Sequence, residues 1–197
     1  MNESKSLKKT KVLVGMAIFT ALVVVLQHMA GIIKIGPFSP SLVIPMVIGA
    51  AVYGVKTGAW LGLVFGIVVL IGCITGTDMG GNAMWVFNPA VTAVICIGKG
   101  VAAGLLSGLT YRALQHKNQL LATVAAAIVC PVVNTGLFCI GAVAVFRPIL
   151  EQWAGGADLV SYVFMGLIGV NFLVEMGINV VLSPVVVRIL HAVKVAE

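Results

Sequence analysis

The chain has 197 residues, of which 60% are hydrophobic and only 9% are charged, and its mean hydropathy is +1.14. This composition excludes a soluble globular domain, and at about 20 residues per membrane span it predicts roughly six spans in a single domain, residues 1–197. The net charge of +6 does not indicate a nucleic-acid partner, because the basic residues cluster at the ends of the apolar runs.

The apolar runs predict an all-α integral membrane protein with six transmembrane helices. The predicted spans are about residues 11–29, 41–53, 58–73, 87–108, 120–146 and 159–187. Nine Lys or Arg residues lie at one end of these spans, and two, Lys34 and Arg147, lie at the other. By the positive-inside rule, both termini are cytoplasmic, and the segments 30–40, 75–86 and 147–158 are loops that face outside the plasma membrane.

Small residues follow helical spacing in three spans. In the first span Ala17 and Ala21 form a small-xxx-small ridge, which allows another helix to approach closely, either within this chain or from a partner. The third and fourth spans each carry three glycines at steps of four, which predict smooth helix faces. These glycines are Gly58, Gly62 and Gly66 in the third span and Gly100, Gly104 and Gly108 in the fourth.

The fourth span contains a charged residue, Lys99, deep within an apolar run. Lys99 lies ten residues after Pro89, which at 1.5 Å per residue is about 15 Å, close to the middle of a bilayer. Asn88, Thr92 and Cys96 share its helix face at steps of three and four. Since a buried charge in a membrane normally faces the protein interior, this face is predicted to form a polar stripe inside the bundle.

The sixth span contains a second charged residue, Glu175, about 24 Å of helix from the predicted start of the span. Asn171 and Asn179 lie four residues on either side of it, on the same face. The fifth span offers Asn134 at comparable depth, next to Pro131, whose missing N–H frees a backbone carbonyl. Three helices are therefore predicted to bring polar groups to one level.

Two interpretations of these groups stay open. In the first, they line a pocket open to the outside, in which Lys99 faces a ligand anion and the amides of Asn88, Asn134 and Asn171 donate and accept hydrogen bonds. In the second, Lys99 and Glu175 form an ion pair that only holds the helices together. Three aromatic residues are candidate lids over a pocket or, alternatively, anchors at the membrane interface: Trp85, Trp153 and Tyr162.

No motif in the sequence indicates an enzyme, a metal site or a cofactor. The chain lacks a phosphate-binding P-loop, a zinc-protease motif and a nucleophile elbow. The cysteines lack metal-ligand spacing and lie in apolar runs, which favours ordinary core packing. They are Cys73, Cys96, Cys130 and Cys139.

The basic N-terminus, the Ala17–Ala21 ridge, and the runs IGPFSPSLVIPMVIGA (35–50) and VYGVKTGAWLGLVFGIV (52–68) resemble the substrate-binding S components of energy-coupling factor (ECF) vitamin transporters. The resemblance covers nearly the whole chain. It implies that the chain binds a small water-soluble vitamin from outside, in a pocket formed by the later helices and the outer loops. It further implies that a partner transmembrane coupling subunit, contacted by the alanine ridge, and two ATPase subunits drive release inside.

The runs KIGPFSPSLVIPMVIGA, FNPAV (87–91) and VVNTGLF (132–138) look most like S components assigned to pantothenate, whose carboxylate would suit Lys99. The segments 54–57 and 75–83 depart from that group. Two other functions stay open. They are a stand-alone, ion-coupled secondary carrier and a membrane assembly protein without transport activity, in which Lys99 and Glu175 only pair.

Overall fold

The structure, a computed structural model, describes residues 2–30, 41 and 43–195. Within these ranges the side chains of residues 2–9, 164, 166–168, 170, 171 and 189–195 are not described. The predicted loop 30–40, with Lys34, therefore lies almost wholly outside the described residues.

All regular secondary structure in the described ranges is helical. The helices are, in chain order, α1 (Asn2–Ala30), α2 (Ile44–Tyr53), α3 (Val55–Thr75), α4 (Met79–Phe87), α5 (Pro89–Leu114), α6 (Gln119–Val145), α7 (Arg147–Ala154), α8 (Leu159–Ser161), a π-helical segment (Tyr162–Gly169) and α9 (Val170–Val195). This confirms the all-α fold class for the part of the chain that the structure describes.

Four of the described segments are long and apolar enough to cross a membrane: Thr10–Ala30 within α1, and the whole of α3, α5 and α6. The second predicted span is shorter than expected, because α2 has only ten residues, Ile44–Tyr53. The total of six spans and the orientation of the termini stay predictions.

The prediction that 75–86 and 147–158 are open loops was wrong for most of their length, since α4 and α7 lie there. The Asp78 side chain starts α4 by accepting a hydrogen bond from the Gly81 backbone N–H, 3.0 Å away. In α7 the guanidinium of Arg147 donates to the Glu151 carboxylate one turn later, at 2.7 Å. A side-chain cap in α4 and an ion pair within α7 thus accompany helices in segments whose glycine and proline content suggested loops.

The most extensive helix contact joins α3 and α5. A methyl group placed on Gly62 would collide with the backbone carbonyl of Gly100, and one on Gly100 would collide with the carbonyl of Gly62. Gly58 and Gly104 meet in the same way. The predicted glycine faces are confirmed, and they pack against each other with the two backbones in contact.

Buried apolar residues form two clusters. The larger one lies among α1, α2, α3, α5, α6 and α9 and includes Phe65, Met46 and Leu61. The smaller one lies at the upper end of the bundle, by which we mean the end where α3 stops at Thr75 and α5 begins at Pro89. It consists of Met84, Ala142, Phe146, Leu150 and Val163. Because Met84 comes from α4 and Leu150 from α7, the two short helices help to close the upper end.

Candidate functional site

The site is built around Lys99 of α5. Asn88 caps the N-terminus of this helix by accepting from the Val91 backbone N–H at 3.2 Å. Thr92, Cys96 and Lys99 then follow on one face, and all three are buried. The polar stripe predicted from their spacing is therefore confirmed from Thr92 downward, whereas the Asn88 side chain is used in the cap.

The Lys99 side chain borders a small cavity, which we call the Lys99 cavity. Its volume is about 30 Å³, which is enough for roughly one water molecule. The lining side chains come from α3, α4, α5 and α6, from Asp78 before α4 and from Phe146 at the end of α6. They include Val69, Cys73, Asp78, Met84, Thr92, Cys96, Lys99, Phe138 and Phe146.

The Lys99 ammonium lies over an aromatic ring and forms no ion pair with any described residue. Its nitrogen is 5.0 Å from the centroid of the Phe138 ring, which is the range of a cation–π contact. Arg147 and Glu151 make an ion pair, but within the described ranges Lys99 and Glu175 do not. Lys99 still acts electrostatically on the Glu175 carboxyl. The predicted locking pair is therefore not a direct contact.

Two buried acceptor atoms have no hydrogen-bond partner among the described residues, and the residues that carry them, Asn134 and Glu175, do not line the Lys99 cavity. Asn134 is 3% exposed and Glu175 is 4% exposed. The Asn134 amide donates a long hydrogen bond to the Ser41 hydroxyl at 3.4 Å. Among the described residues, however, Asn134 Oδ1 and Glu175 Oε1 accept no hydrogen bond. A buried acceptor left unpaired costs about 1–3 kcal/mol, so each of these atoms requires an explanation.

One face of α6 connects these groups. Cys130, Asn134 and Phe138 follow at steps of four, so about 6 Å separates each from the next along the helix. Phe138 contacts Lys99, while Cys130 lies within electrostatic range of Glu175. Asn134 therefore lies between the level of the ammonium and the level of the carboxyl.

Asn179, which was predicted to share the polar face of Glu175 on α9, makes a hydrogen bond to the backbone of α6. Pro131 has no N–H, so the carbonyl of Ala127, four residues earlier, loses its helical donor. The Asn179 amide donates to that carbonyl at 3.5 Å. Asn179 thus satisfies the carbonyl that the proline frees, which leaves Glu175 as the described polar side chain of this stripe with an unpaired atom.

The depth of Glu175 differs from the predicted 24 Å. Residues 162–169 form a π-helical segment, in which hydrogen bonds link each residue to the fifth along the chain. The turns of such a segment hold more residues than α-helical turns, so the same number of residues covers less length. Glu175 therefore lies nearer to the upper end than a straight α-helix predicts.

Other predicted site residues lie outside the cavity or outside the described side chains. Trp85 is half-buried in α4, but its neighbour Met84 lines the cavity. Trp153 and Tyr162 pack against the smaller apolar cluster. The side chain of Asn171 lies outside the described residues.

The alanine ridge lies on an exposed face of α1. Ala17 and Ala21 are both exposed, together with the large apolar neighbours Ile18 and Leu22. None of these residues lines the Lys99 cavity.

Sequence reasoning missed two members of the site. Phe138 lies one helical turn after Asn134, and this spacing was the available signal that it shares the inward face. Asp78 was assigned to an outer loop, yet it lines the Lys99 cavity. No sequence pattern indicates that a residue beyond the end of α3 reaches this position.

A second, larger cavity of about 500 Å³ lies between α1 and α3 at the upper end. Its polar lining residues are Gln27, His28, Thr75, Thr77 and Asp78. Val69 and Asp78 line both cavities, so these two side chains form part of the wall between them.

Comparison with known proteins identifies the fold and the family. The family described as "ECF transporter, substrate-specific component" matches residues 11–187. The chain belongs to this family. As an S component, it is a membrane protein of an ECF transporter, in which such subunits bind a substrate and associate with an energy-coupling module.

A solved structure described as "Native-SAD phasing for ThiT from Listeria monocytogenes serovar." is similar to this S component, with a TM-score of 0.55 and 22% sequence identity over 93% of this chain and 94% of that chain. At this identity the likeness shows the fold alone. No curated protein matches the chain.

Proposed function

We propose that this S component captures a small water-soluble vitamin at the upper end of the bundle, which faces outside the plasma membrane, and that both of its termini are cytoplasmic. The orientation rests on the nine basic residues at one end of the spans against two at the other. Six spans are consistent with this arrangement, with α2 and the chain from Leu159 onward supplying the two that are not among the four long spans.

The ligand site in this proposal consists of Lys99 on α5, Asn134 on α6 and Glu175 on α9. The observation that carries it is the incomplete pairing of these buried groups. Within the described ranges the cation has no carboxylate partner, and the two unpaired oxygens, Asn134 Oδ1 and Glu175 Oε1, are available to accept hydrogen bonds from a ligand. A ligand with an anionic end and hydrogen-bond donors further along its length would satisfy all three.

The chemistry of this site favours a carboxylate-bearing vitamin such as pantothenate, which also carries hydroxyl groups and an amide N–H. Lys99 would hold the carboxylate, while Asn134 and Glu175 would accept from the donors. Asn88, Asn171 and Trp85 belong to the same proposal as outlying contacts, reached only when the ligand extends toward the upper end.

Binding requires the Lys99 cavity to enlarge. A volume of about 30 Å³ holds about one water molecule, whereas ligand sites typically measure about 300–1,000 Å³. The helices α4 and α7 are the elements that close the upper end. We therefore assign to them the movement that admits the ligand.

Release inside is assigned to partners: a transmembrane coupling subunit and two ATPase subunits. The sequence contains no P-loop, so this chain does not itself supply the ATP chemistry. The exposed Ala17–Ala21 ridge on α1 offers the coupling subunit a surface on which helices can approach closely.

Native mass spectrometry of the gently purified chain tests the proposal. We expect the wild-type protein to retain a small molecule, and Lys99→Ala to lose it while keeping its helical circular dichroism. Co-purification with an ATPase-containing complex tests the partner assignment separately, with Ala17→Trp as the variant that should lose the complex but keep the small molecule. Uptake that persists in cells lacking the ATPases would instead identify an ion-coupled carrier.

A further inference from the structure

Two cysteines meet in the wall of the Lys99 cavity. Cys73 near the end of α3 and Cys96 on α5 are both buried, and their sulfur atoms are 3.9 Å apart. Both are free thiols, and both line the cavity. The other two cysteines, Cys130 and Cys139, do not line it.

Cys73 and Cys96 lie at different levels of the α3–α5 contact. A methyl group on Gly66 would lie 2.6 Å from the carbonyl oxygen of Cys96, so α3 and α5 are in close contact two turns below Cys73. The carbonyl of Cys73 accepts a hydrogen bond from the Asn82 amide at 2.8 Å. Because Cys96 is level with Gly66, about 10 Å along α3 from Cys73, closing the sulfur separation from 3.9 Å to the roughly 2.05 Å of a disulfide requires the upper turns of α3 to move toward Cys96 as well as side-chain rotation.

The surroundings of the pair are not those of an ordinary apolar core. The charged side chains of Lys99 and Asp78 line the same cavity as the two thiols, and their opposite charges act on the thiols in opposite directions. Reactive cysteines occur next to cations in partly accessible sites, whereas cysteines within apolar cores are inert, so this buried pair becomes reactive only when the cavity opens. Cys130, fully buried in the larger apolar cluster, is the inert type.

We propose that Cys73 and Cys96 form an oxidisable dithiol, which a small disulfide entering the Lys99 cavity converts into a disulfide that links α3 to α5. One thiol loses its proton and attacks the reagent, breaking the reagent S–S bond and releasing one reagent thiol. The second cysteine then attacks the resulting mixed disulfide and releases the other reagent thiol. The protein loses two protons and two electrons, and the reagent is reduced to two thiols.

The reaction requires the cavity to open, because its volume of about 30 Å³ holds only about one water molecule. The upper end carries both cysteines, and in the proposed orientation it faces the oxidising exterior, where disulfides persist. The inference does not depend on the identity of the transported ligand.

The test uses the purified full-length protein and bis(2-hydroxyethyl) disulfide as the oxidant. After incubation, the protein is denatured, its free thiols are alkylated with N-ethylmaleimide, and its intact mass is measured. We expect the number of reactive thiols to fall from four to two, and peptide mapping to find Cys73 joined to Cys96. A matched variant, Cys130→Ala with Cys139→Ala, should fall from two reactive thiols to none.

Single variants trap the intermediate. In Cys73→Ala the remaining Cys96 should retain half of the reagent as a mixed disulfide, and Cys96→Ala offers the same readout at Cys73 if the first variant fails to fold. The proposal is overturned if the folded protein keeps all four thiols under conditions that oxidise the denatured chain. It is also overturned if mapping joins any other pair.

Discussion

The α3–α5 interface differs from the inward faces of α6 and α9 in the groups that it buries. Between α3 and α5, glycines such as Gly62 and Gly100 bring two backbones together with no side chain between them. On α6 and α9, the buried side chains of Asn134 and Glu175 face the interior, each with an unpaired oxygen. In a membrane, close backbone packing supplies helix association, whereas unpaired polar atoms oppose it. In the proposed function, the α3–α5 contact supplies stability, and the inward faces of α6 and α9 supply ligand contacts.

Lys99 lies on the boundary between these two parts of the bundle. Its neighbour Gly100 packs against α3, so the backbone at Lys99 is fixed by the rigid pair. Its ammonium, however, lies over Phe138 of α6. Because the backbone of its helix is fixed by packing, a charged side chain can be held in position for a ligand without an ion-pair partner on the same helix.

The largest effect is expected for Lys99→Ala. Removing a charge-assisted contact to a ligand carboxylate costs about 1.5–3 kcal/mol. Affinity should therefore fall by roughly ten- to a hundredfold. Isothermal titration with pantothenate, or with the molecule found by mass spectrometry, measures this change.

The competing interpretation makes a different prediction for the same residue. If Lys99 and Glu175 stabilise each other across the bundle, removing one partner should destabilise the fold by about 3–5 kcal/mol. Replacing both by neutral residues should then restore the melting temperature. Such rescue, with ligand affinity unchanged throughout, would contradict the pocket.

Gly100→Ala tests the α3–α5 contact. The added methyl group meets the carbonyl of Gly62, and overpacking of this kind costs about 1–3 kcal/mol. Gly98→Ala on the same helix is the matched control, because a methyl group there meets nothing within 4 Å. Thermal unfolding should separate the two variants. Equal melting temperatures of the two variants would mean that α3 and α5 can move apart without a loss of stability.

Glu175→Gln tests the inward faces of α6 and α9 and should have a smaller effect. Glutamine keeps the shape and one acceptor, so the expected loss is that of about one hydrogen bond, 0.5–1.5 kcal/mol in ligand binding. The stability of the empty protein should not fall, since no described partner of Glu175 Oε1 is lost. A clear drop in melting temperature of the empty protein would show that the carboxylate is structural.

The smallest effect concerns Asp158, which caps α8 and is the last residue of the predicted outer segment 147–158. The hydrogen bond from the Ser161 backbone N–H, at 2.9 Å, lowers the pKa of the Asp158 carboxyl below its ordinary 3.8. The cap is therefore present above that pH and is lost as the pH falls through the lowered pKa. Hydrogen-exchange protection of the Ser161 amide should fall on acidification, while Asp158→Asn, which retains an acceptor, should show no such dependence.

The helices could be predicted because their signals are local. Apolar length, the Asn88–Pro89 start of α5 and the glycine steps each depend on a few neighbouring residues, and the structure confirms them. The helices α4 and α7 were missed, since they lie within segments whose glycine and proline content is typical of loops.

Which side chains of the site contact each other depends on the register between the helices, and this register cannot be deduced from a single sequence. Lys99 and Glu175 were both singled out, but their direct pairing and the role of Phe138 depend on how α5, α6 and α9 are rotated. The π-helical segment before α9 makes these contacts still harder to predict, because it changes both the depth and the rotation of Glu175.

The shared wall of the two cavities has a consequence for inhibition. Val69 and Asp78 touch the 500 Å³ space between α1 and α3 on one side and the Lys99 cavity on the other. A compound wedged into the larger space would push on the same two side chains that border the smaller one. It could block uptake without resembling the vitamin, and raising the vitamin concentration would not simply displace it.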